Sequence, residues 1–367
     1  MNKHHTFKTG LFISIFLALI LICLGIFTKL FLTSKTLKKD AISVALITDS
    51  ADIDDSSYNQ CAYEGMKNYC ENNNIKYTYY KPMDSTAESG LSSIDEAVKN
   101  GAELIICPDS NLSETVYQAQ DRYEDTYFIL VDSEPVSSDG SVIKMEENVT
   151  SLLFDDDESG FLAGYSCVSL GYKNISVIYS SNVTSDMHYY YGFIQGADYS
   201  AKENNINITI ESKDIASESD DYIPKYADKA YSSGTEIIFT CNNDICETVS
   251  SQAEKNDGLV MNAGNSMVNF PCVTASITKN VSNAVYREVE AFHSGEFNGG
   301  AATTFNTSND GLTLVLNKNL TKDFPQEKYD NVYSGLSDDS IMLISDTTMD
   351  LEDLNLSNVT IKKTKNR

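Results

Sequence analysis

Residues 44–66 read Val44-Ala-Leu-Ile-Thr-Asp-Ser-Ala-Asp-Ile-Asp-Asp-Ser-Ser-Tyr-Asn-Gln-Cys-Ala-Tyr-Glu-Gly-Met66. An apolar run, Val44–Ile47, gives way to a loop rich in Asp and Ser, and Tyr58 then opens a pattern typical of an amphipathic helix. A strand, a polar loop and a helix N-terminus in this order bring side chains to the carboxyl edge of a parallel sheet, where small molecules bind. The stretch therefore predicts an α/β fold with a ligand site at that edge.

The loop within this stretch carries four carboxylates, Asp49, Asp52, Asp54 and Asp55. Ionised carboxylates only accept hydrogen bonds and they repel anions, so the loop disfavours a phosphate group. A neutral ligand rich in hydroxyl or amino donors suits these acceptors better.

The charge of the whole chain excludes one class of partner. Its 367 residues include 53 acidic and 27 basic ones, for a formal net charge of −26. The field of this charge repels a polyanion, and the sequence has no basic patch that would offset it. We therefore expect no nucleic-acid partner.

The N-terminal segment is apolar from Leu11 to Leu32 apart from a few residues, and it is long enough to span a bilayer as a helix. It fits the apolar region of a signal peptide, a lipoprotein signal or an uncleaved anchor. Cys23 is the candidate for lipidation, but Ile22 before it is a poor match for the small residue that a lipoprotein peptidase requires. We therefore predict that residues 1–40 are an uncleaved transmembrane anchor and tether, with the rest of the chain on the extracytoplasmic face of the cell membrane.

The eight cysteines are scattered, with no C-x-x-C pair and no histidine cluster near them. This spacing argues against a metal site, and the sequence suggests no cofactor. Cys241 and Cys246 are close enough in sequence for a disulfide in an oxidising compartment. Small buried apolar residues are the alternative, at least for Cys107, Cys167 and Cys272 in their apolar contexts.

Strand-like and helical patterns alternate after the tether, which indicates βαβ units and parallel sheets covered by helices. In the first half, strands are predicted at Ser43–Thr48, Lys76–Tyr80, Leu104–Cys107, Tyr127–Val131 and Val142–Met145, and helices at Tyr58–Asn74, Ser89–Asn100 and Leu112–Glu124. The alternation then restarts, with helices at Glu158–Leu170, Tyr189–Glu203, Asp221–Ser232, Ile245–Lys255 and Asn280–His293, and strands at Ser176–Tyr179, Ile206–Glu211, Glu236–Thr240, Gly258–Met261 and Leu312–Leu316. We therefore expect two doubly wound parallel-sheet lobes of similar size.

Five blocks of sequence carry a more specific likeness. They are Thr48-Asp49 through Ile53-Asp-Asp-Ser-Ser-Tyr-Asn-Gln60 with Glu64-Gly65, Asp155-Asp-Asp-Glu-Ser-Gly-Phe-Leu-Ala-Gly-Tyr165, Tyr191-Gly-Phe-Ile-Gln-Gly-Ala197, Thr274-Ala-Ser-Ile-Thr-Lys-Asn-Val281 and Gly295-Glu-Phe-Asn-Gly-Gly300. In this order, over roughly residues 43–316, they resemble the basic membrane protein family of nucleoside-binding lipoproteins. That resemblance implies a type I periplasmic-binding-protein fold, with two lobes joined by a hinge, and a role beside an ABC importer permease.

The resemblance also implies how the chain divides between the lobes. The first lobe is expected to comprise residues 41–153 plus about 276–322, and the second lobe residues 154–275. Residues 323–367 form a polar tail whose placement the sequence does not predict.

Candidate ligand contacts follow from strand ends and from the family blocks, and each has a structural alternative. Asp49 and Asp132 end strands, but both side chains suit turns or caps. Tyr58 and Phe193 are the two rings implied to enclose a base, but either can pack inside a lobe. The remaining candidates are Asn59, Asn262, Asn265 and Lys279.

Lys279 lies at the start of a predicted helix, where a cation is unfavourable. We therefore predict that it reaches a ligand hydroxyl or neutralises Asp49 or Asp132.

Departures from the family pattern affect the predicted ligand more than the fold. Where the family has G-V-D-x-D, whose first Asp holds ribose hydroxyls, this chain has Val260-Met-Asn-Ala-Gly-Asn-Ser266, without a carboxylate. Neutral acceptors such as Asn262 and Asn265 bind hydroxyls more weakly than ionised ones. The family's G-G-T-G is Asn242-Asn-Asp-Ile245 here, and Ala51-Asp52 replaces a glycine pair.

The sequence shows no catalytic motif, so we predict a binding protein and no enzyme. The leading hypothesis is a membrane-anchored solute-binding protein that captures a small polar ligand for an ABC importer, with a nucleoside as the leading candidate. The alternative is a sensor or scaffold that has lost ligand affinity and contacts another membrane protein.

Overall fold

The computed structural model describes residues 42–54, 57–219, 221–241, 243–264 and 270–364. The strands in these ranges are β1 (Ser43–Ile47), β2 (Lys76–Tyr80), β3 (Leu104–Cys107), β4 (Tyr127–Val131), β5 (Val149–Phe154), β6 (Asn174–Tyr179), β7 (Ile208–Asp214), β8 (Ile237–Thr240), β9 (Leu259–Gly264), β10 (Val273–Lys279), β11 (Ala301–Phe305), β12 (Leu312–Leu316) and β13 (Val359–Lys363). The α-helices are α1 (Tyr58–Asn73), α2 (Ala87–Lys99), α3 (Ser113–Arg122), α4 (Asp156–Ser169), α5 (Thr184–Glu203), α6 (Tyr222–Ser232), α7 (Asn243–Ala253), α8 (Val281–Ser294) and α9 (Gln326–Ser337). The alternation predicted from the sequence is therefore present.

The first sheet has six parallel strands in the order β11-β5-β4-β3-β1-β2. Its central strands β1, β3 and β4 are apolar and almost entirely buried because helices cover both faces of the sheet. Helices α1 and α8 pack on one face, through residues such as Met66 and Val285, and α2 and α3 pack on the other, through Ile94 and Val116. This is the first lobe, and its strands end at the loops that carry Asp49 and Asp132.

The second sheet has seven strands in the order β12-β10-β9-β8-β6-β7-β13. All neighbours are parallel except β10 and β12. Helices α4, α5 and α9 contribute to the core on one face, and α6 and α7 to the core on the other. This second lobe and the first give the α/β architecture with two parallel sheets that the sequence predicts.

Helices α4 and α5 pack unusually closely because each carries a pair of glycines four residues apart. A Cβ atom at Gly164 would lie 2.0 Å from the backbone oxygen of Phe193, and one at Gly196 would lie 2.0 Å from that of Phe161. Gly160 and Gly192 meet the facing backbone in the same way, at 2.2 and 2.1 Å. Two of the five family blocks therefore contain glycines that the helix contact requires.

Three segments pass between the two sheets and bond to one another. These segments follow β5, β10 and β11. The amide of Asp155 donates to the carbonyl of Phe305 over 2.9 Å, and the amide of Asn280 donates to the carbonyl of Gly311 over 2.8 Å. A glutamate of α4, Glu158, accepts a further bond from the amide of Thr307 over 2.8 Å. These hydrogen bonds tie together the segments that connect the two sheets.

Several sequence predictions differ from the observed elements. The strand predicted at Val142–Met145 is only an isolated bridge between Val136 and Val142, and the strand of this region is β5. Strands β10 and β11 were not predicted. In β5 and β10 the buried positions include Thr150 and Ser276, so their hydrophobic pattern is weak.

The chain also divides differently from the predicted boundaries at its C-terminal end. Strand β12 lies within the range 276–322 that was assigned to the first lobe, but it pairs with β10 in the second sheet. The tail whose placement was not predicted forms α9 and then β13, which pairs with β7 at the edge of the second sheet. The predicted anchor, residues 1–40, lies outside the described residues. Among the described residues, no helix combines the length and apolarity needed to cross a membrane.

Candidate functional site

Lys279 lies at the centre of a cluster that joins the two lobes. It is the last residue of β10, at the point where the chain leaves the second sheet. Its Nζ lies 3.0 and 2.8 Å from the two carboxylate oxygens of Asp132, which follows β4 in the first lobe. It also lies 2.9 Å from Oδ1 of Asp156, the first residue of α4 in the second lobe. One ammonium group thus binds a carboxylate from each lobe.

A tyrosine from each lobe completes this group, which we call the Lys279 cluster: Tyr58, Asp132, Asp156, Tyr189 and Lys279. The hydroxyl of Tyr58 donates to Oδ2 of Asp132 over 2.6 Å. The ring of Tyr189 lies with its centroid 5.7 Å from the Lys279 ammonium, within the range of a cation–π contact. Both tyrosines are almost fully buried, so the lobes meet around the cluster.

Burial and charge act in opposite directions on this cluster. Burial alone would lower the pKa of Lys279, but Tyr189, Tyr58, Asp156 and Asp132 together raise that pKa well above its ordinary value. The lysine is therefore charged at neutral pH. Burial also raises the pKa of Tyr58 well above its ordinary value, so its phenol is a neutral hydrogen-bond donor.

The carboxyl group of Asp132 is held in a rigid position. Its backbone has φ 57°, a left-handed conformation that Asp tolerates better than most residues, and its amide donates to the carbonyl of Leu152 over 2.7 Å. Burial raises the pKa of Asp132, whereas Lys279 and the Tyr58 hydroxyl oppose that rise. The carboxylate is thus prepositioned to accept hydrogen bonds at the carboxyl edge of the first sheet.

Asp49 and Asn59 lie at the same edge but bond to each other. The Asn59 amide nitrogen donates to Oδ1 of Asp49 over 2.6 Å, and the backbone amide of Ala51 donates to the same oxygen over 3.1 Å. Asn59 is buried and Asp49 is half-buried. These contacts correspond to the loop-capping alternative for Asp49, and its second carboxylate oxygen is a candidate acceptor for a ligand.

Two further predicted ligand contacts, Phe193 and Asn262, are buried in the second lobe, and each contacts a residue of that lobe. Phe193 is entirely buried in the second lobe and stacks on Phe239 with ring centroids 4.3 Å apart. Asn262 is also entirely buried, and its Oδ1 accepts a hydrogen bond from the Thr240 hydroxyl over 2.9 Å. Each side chain lies on a face of its helix or strand that is buried inside the second lobe. Asn265 lies outside the described residues.

Two members of the Lys279 cluster were missed from the sequence. Asp156 belongs to an acidic run that begins a predicted helix, a position usually explained by helix capping. Tyr189 precedes Phe193 by four residues, so both lie on the same stripe of α5, one turn apart. The family block pointed to the phenylalanine, but the turn nearer the helix N-terminus is the one that reaches the cleft.

The cysteines play no visible part in this site. All seven described cysteines, including Cys241 and Cys246, are free thiols, and most of them are buried. The possible disulfide between Cys241 and Cys246 is therefore absent. Within the described ranges, no three His, Cys, Asp or Glu side chains are arranged to hold a metal ion.

Comparison with known proteins supports the fold and the family. A family model described as "ABC transporter substrate-binding protein PnrA-like" (Bmp) matches residues 42–341. The chain is 27% identical over 312 residues to the ABC transporter nucleoside-binding protein BmpA of Lactococcus lactis, across 77% of this chain and 84% of that protein.

Solved structures are similar in fold at low sequence identity. An ABC transporter solute-binding protein from Conexibacter woesei matches with a TM-score of 0.64 and 14% identity, over 83% of this chain and 99% of the other. A transcriptional activator of the comK gene from Bacillus halodurans matches with a TM-score of 0.63 and 16% identity, over 82% and 99%. The resemblance predicted from the sequence blocks is confirmed: the chain belongs to the Bmp family of PnrA-like ABC transporter substrate-binding proteins.

Proposed function

We propose that the protein is an extracytoplasmic solute-binding protein that captures a nucleoside in the cleft between its lobes and delivers it to an ABC importer permease. The observation that carries this proposal is the Lys279 cluster. Charged and hydrogen-bonding groups from both lobes converge there, at the carboxyl edges of the two sheets. In open α/β sheets this edge is where ligands bind.

The chemistry of the cluster suits a nucleoside. The carboxylates of Asp132 and Asp156 accept hydrogen bonds from ribose hydroxyls, and the Lys279 ammonium donates to ribose oxygens. The rings of Tyr58 and Tyr189 offer aromatic surface from opposite lobes for a base. The nucleoside-binding protein of Lactococcus lactis supports the same ligand class.

Closure of the two lobes would couple binding to transport. Contacts from both lobes are satisfied together only in the closed form, so a ligand shifts the open–closed equilibrium by its differential affinity for that form. The permease then recognises the closed protein. Residues 1–40 would hold the protein at the membrane, as predicted from their apolar sequence.

The test is a thermal-shift screen of the full chain in detergent against purine and pyrimidine nucleosides. A nucleoside at about 100 times its Kd should raise Tm by about 5 °C. Asp132→Ala should abolish the shift, whereas Asp121→Ala, which changes an exposed carboxylate of α3, should preserve it. Absence of a shift across the whole panel would overturn the proposal.

A second candidate function is a sensor or scaffold without nucleoside affinity. It is favoured by Asn262, which replaces the family's carboxylate and is bonded internally to Thr240. The similar solved structure from Bacillus halodurans, described as a transcriptional activator, belongs to a regulatory protein. A panel without any response, together with capture of a membrane partner after cross-linking in cells, would support this function.

A further inference from the structure

We propose that β13 is the contact surface for a second copy of this chain, whose own β13 pairs with it antiparallel and joins the two seven-stranded sheets edge to edge. Every residue of this surface belongs to the second lobe. It also lies beyond residues 42–341, the part of the chain that matches the family model. The inference therefore goes beyond the proposed function, and it depends neither on the ligand nor on how the two lobes are arranged.

The outer edge of β13 offers backbone groups to a further strand. β13 is the last strand in the order of the second sheet, and among the described residues no strand pairs with its outer side. The carbonyl of Asn358 and the amide of Thr364 are both bonded to β7. Because successive residues of a strand point their backbone groups to opposite sides, those of Val359, Ile361 and Lys363 point outward. A row of this kind is a template for pairing with another chain.

A groove beside this edge supplies apolar surface. It has a volume of about 550 Å³ and is lined by residues of β13 and of the short 3₁₀ helix Leu351–Leu354. The apolar side chains of its lining are Leu351, Leu356, Val359 and Ile361. All but Leu351 are only partly buried, so a strand added at this edge would remove further apolar area from water.

The edge is complementary to itself in one register. When two copies of β13 pair antiparallel about Ile361, the outward-pointing residues of one copy meet those of the other. Ile361 then lies opposite the same residue of the second copy, and Val359 lies opposite Lys363. The two backbones can exchange hydrogen bonds at each of these positions.

The distribution of charge identifies the occupant as a second copy. β13 ends in Lys362 and Lys363, two basic residues in a chain of net charge −26. The groove that Val359 lines also carries the carboxylates of Asp350 and Glu352. The register that places Lys363 opposite Val359 therefore brings a base of each copy to the acids of the other, twice in one dimer. Repulsion between the remaining acidic surfaces is largely screened beyond about 8 Å at physiological salt.

The experiment measures the association of full chains in detergent by two-colour fluorescence cross-correlation. Each copy carries one of two dyes at Met83, which is 95% exposed and belongs to the first lobe. Wild-type copies should associate. Lys363→Glu or Glu352→Lys alone should raise the Kd by at least about tenfold, because each variant places like charges against each other in both halves of the dimer. Both side chains are exposed, so neither substitution disturbs the core.

A mixture of the two variants is decisive. In a dimer of one Lys363→Glu copy and one Glu352→Lys copy, both contacts between positions 363 and 352 are attractive again. The mixture should therefore associate with a Kd within about threefold of the wild-type value, although neither variant associates well with itself. Lys99→Glu is the matched control, since it changes the net charge as Lys363→Glu does but lies at the exposed end of α2. It should leave the Kd unchanged.

Ile361→Pro tests the strand pairing itself. The amide of Ile361 points away from β7, so proline removes a donor at the outer edge and no bond within the sheet. Association should be lost, while amide exchange of the other β13 residues stays slow. A wild-type chain that remains monomeric, or one whose edge binds another protein instead, would overturn the proposal. So would a mixture that associates no better than the single variants, or association that survives Ile361→Pro.

Discussion

The two lobes supply the cleft in different ways. In the first lobe, the predicted contacts Asp132, which follows β4, and Tyr58, which begins α1, belong to the Lys279 cluster. In the second lobe, the predicted contacts Phe193 and Asn262 are buried inside the lobe, and Asp156 and Tyr189 reach the cleft instead. The family block around Lys279, at the end of β10, therefore contains a member of the cluster, whereas the block around Phe193, in the middle of α5, contains a packing residue.

The helix pair of the second lobe shows why its blocks describe packing. Gly164 and Gly196 allow α4 and α5 to approach until their backbones are in contact, and Phe193 fills the core beneath them. In the first lobe, Gly65 of α1 makes the corresponding approach to the backbone of Ser282 in α8. The comparison between the lobes can be tested by variants that separate packing from binding.

The largest effect is expected for Gly164→Ala in the second lobe. Its new methyl group would overlap the Phe193 backbone oxygen, and the backbone cannot move aside as a side chain can. We expect the free energy of unfolding to fall by about 3 kcal/mol, measured by urea denaturation. Gly90→Ala meets only the side chain of Thr115 and should cost clearly less. Equal costs for the two variants would contradict the packing explanation.

A smaller loss is expected for Asp198→Ala, which tests the C-terminal edge that only the second lobe has. The Asp198 carboxylate accepts bonds from the amides of Ser357 and Asn358 over 2.9 and 2.7 Å, directly before β13. Its removal should destabilise the protein by about 2 kcal/mol and increase amide exchange in β13. Asp338→Ala, at an exposed turn, is the control. Unchanged exchange in β13 would show that the strand does not depend on this carboxylate.

Phe193→Leu separates a core residue from a ligand contact. Phe193 is entirely buried against Phe239, so we expect a loss of about 1.5 kcal/mol in stability with unchanged nucleoside affinity of the folded protein. Tyr58→Phe, in the first lobe, should instead lower affinity, because it removes the hydroxyl that positions Asp132. Isothermal titration calorimetry measures both. An affinity loss of tenfold or more for Phe193→Leu would place this ring at the ligand after all.

The smallest effect concerns the pH dependence of stability. Asp186 in the second lobe is 2% exposed, and burial raises the pKa of its carboxyl from 3.8 to about 6. Between about pH 4 and 6 the Asp186 carboxyl is therefore protonated in the folded protein but ionised in the unfolded chain. Its contribution to the stability of the folded protein falls as the pH rises through that window and is lost above it. Asp186→Asn should therefore be more stable than the wild type by about 1 kcal/mol at pH 7.5, with a difference that vanishes near pH 4.

The first-lobe counterpart for this measurement is Asp84, which is fully exposed and whose pKa is lowered by a hydrogen bond from Thr86. Because the pKa of Asp84 is lowered and not raised in the folded protein, Asp84→Asn should not stabilise the protein at pH 7.5. The unfolding midpoint, followed by circular dichroism from pH 4 to 8, tests both variants. A difference between Asp186→Asn and the wild type that does not vary with pH would contradict the assignment.

Much of the fold could be predicted from the sequence because its signals are local. Apolar runs such as Leu104–Cys107 and Tyr127–Val131 appear as strands with the predicted bounds. Strands β5, β10 and β11 could not be predicted in this way. In β10, Thr274 and Ser276 occupy buried positions, and their burial depends on pairing with strands distant in the sequence.

The candidate site was predictable only in part. Asp132 was expected as one possible partner of Lys279, with Asp49 as the alternative, because a cation is unfavourable at the start of a helix. Asp156 was not, since an acidic first turn of a helix is equally expected for capping. The choice between Tyr189 and Phe193 also escaped the sequence, because residues four apart on a helix lie on the same stripe.

By itself, the sequence determined two α/β lobes, their parallel sheets and the sheet edge at which polar side chains gather. These features depend on the spacing of apolar residues and on the positions of turns, and both can be recognised within about twenty residues of sequence. The tertiary structure alone decided which of those side chains meet. Lys279 is more than a hundred residues from Asp132 and Asp156 in the chain, and its ammonium reaches both only where segments crossing between two separately folded sheets bring their edges together.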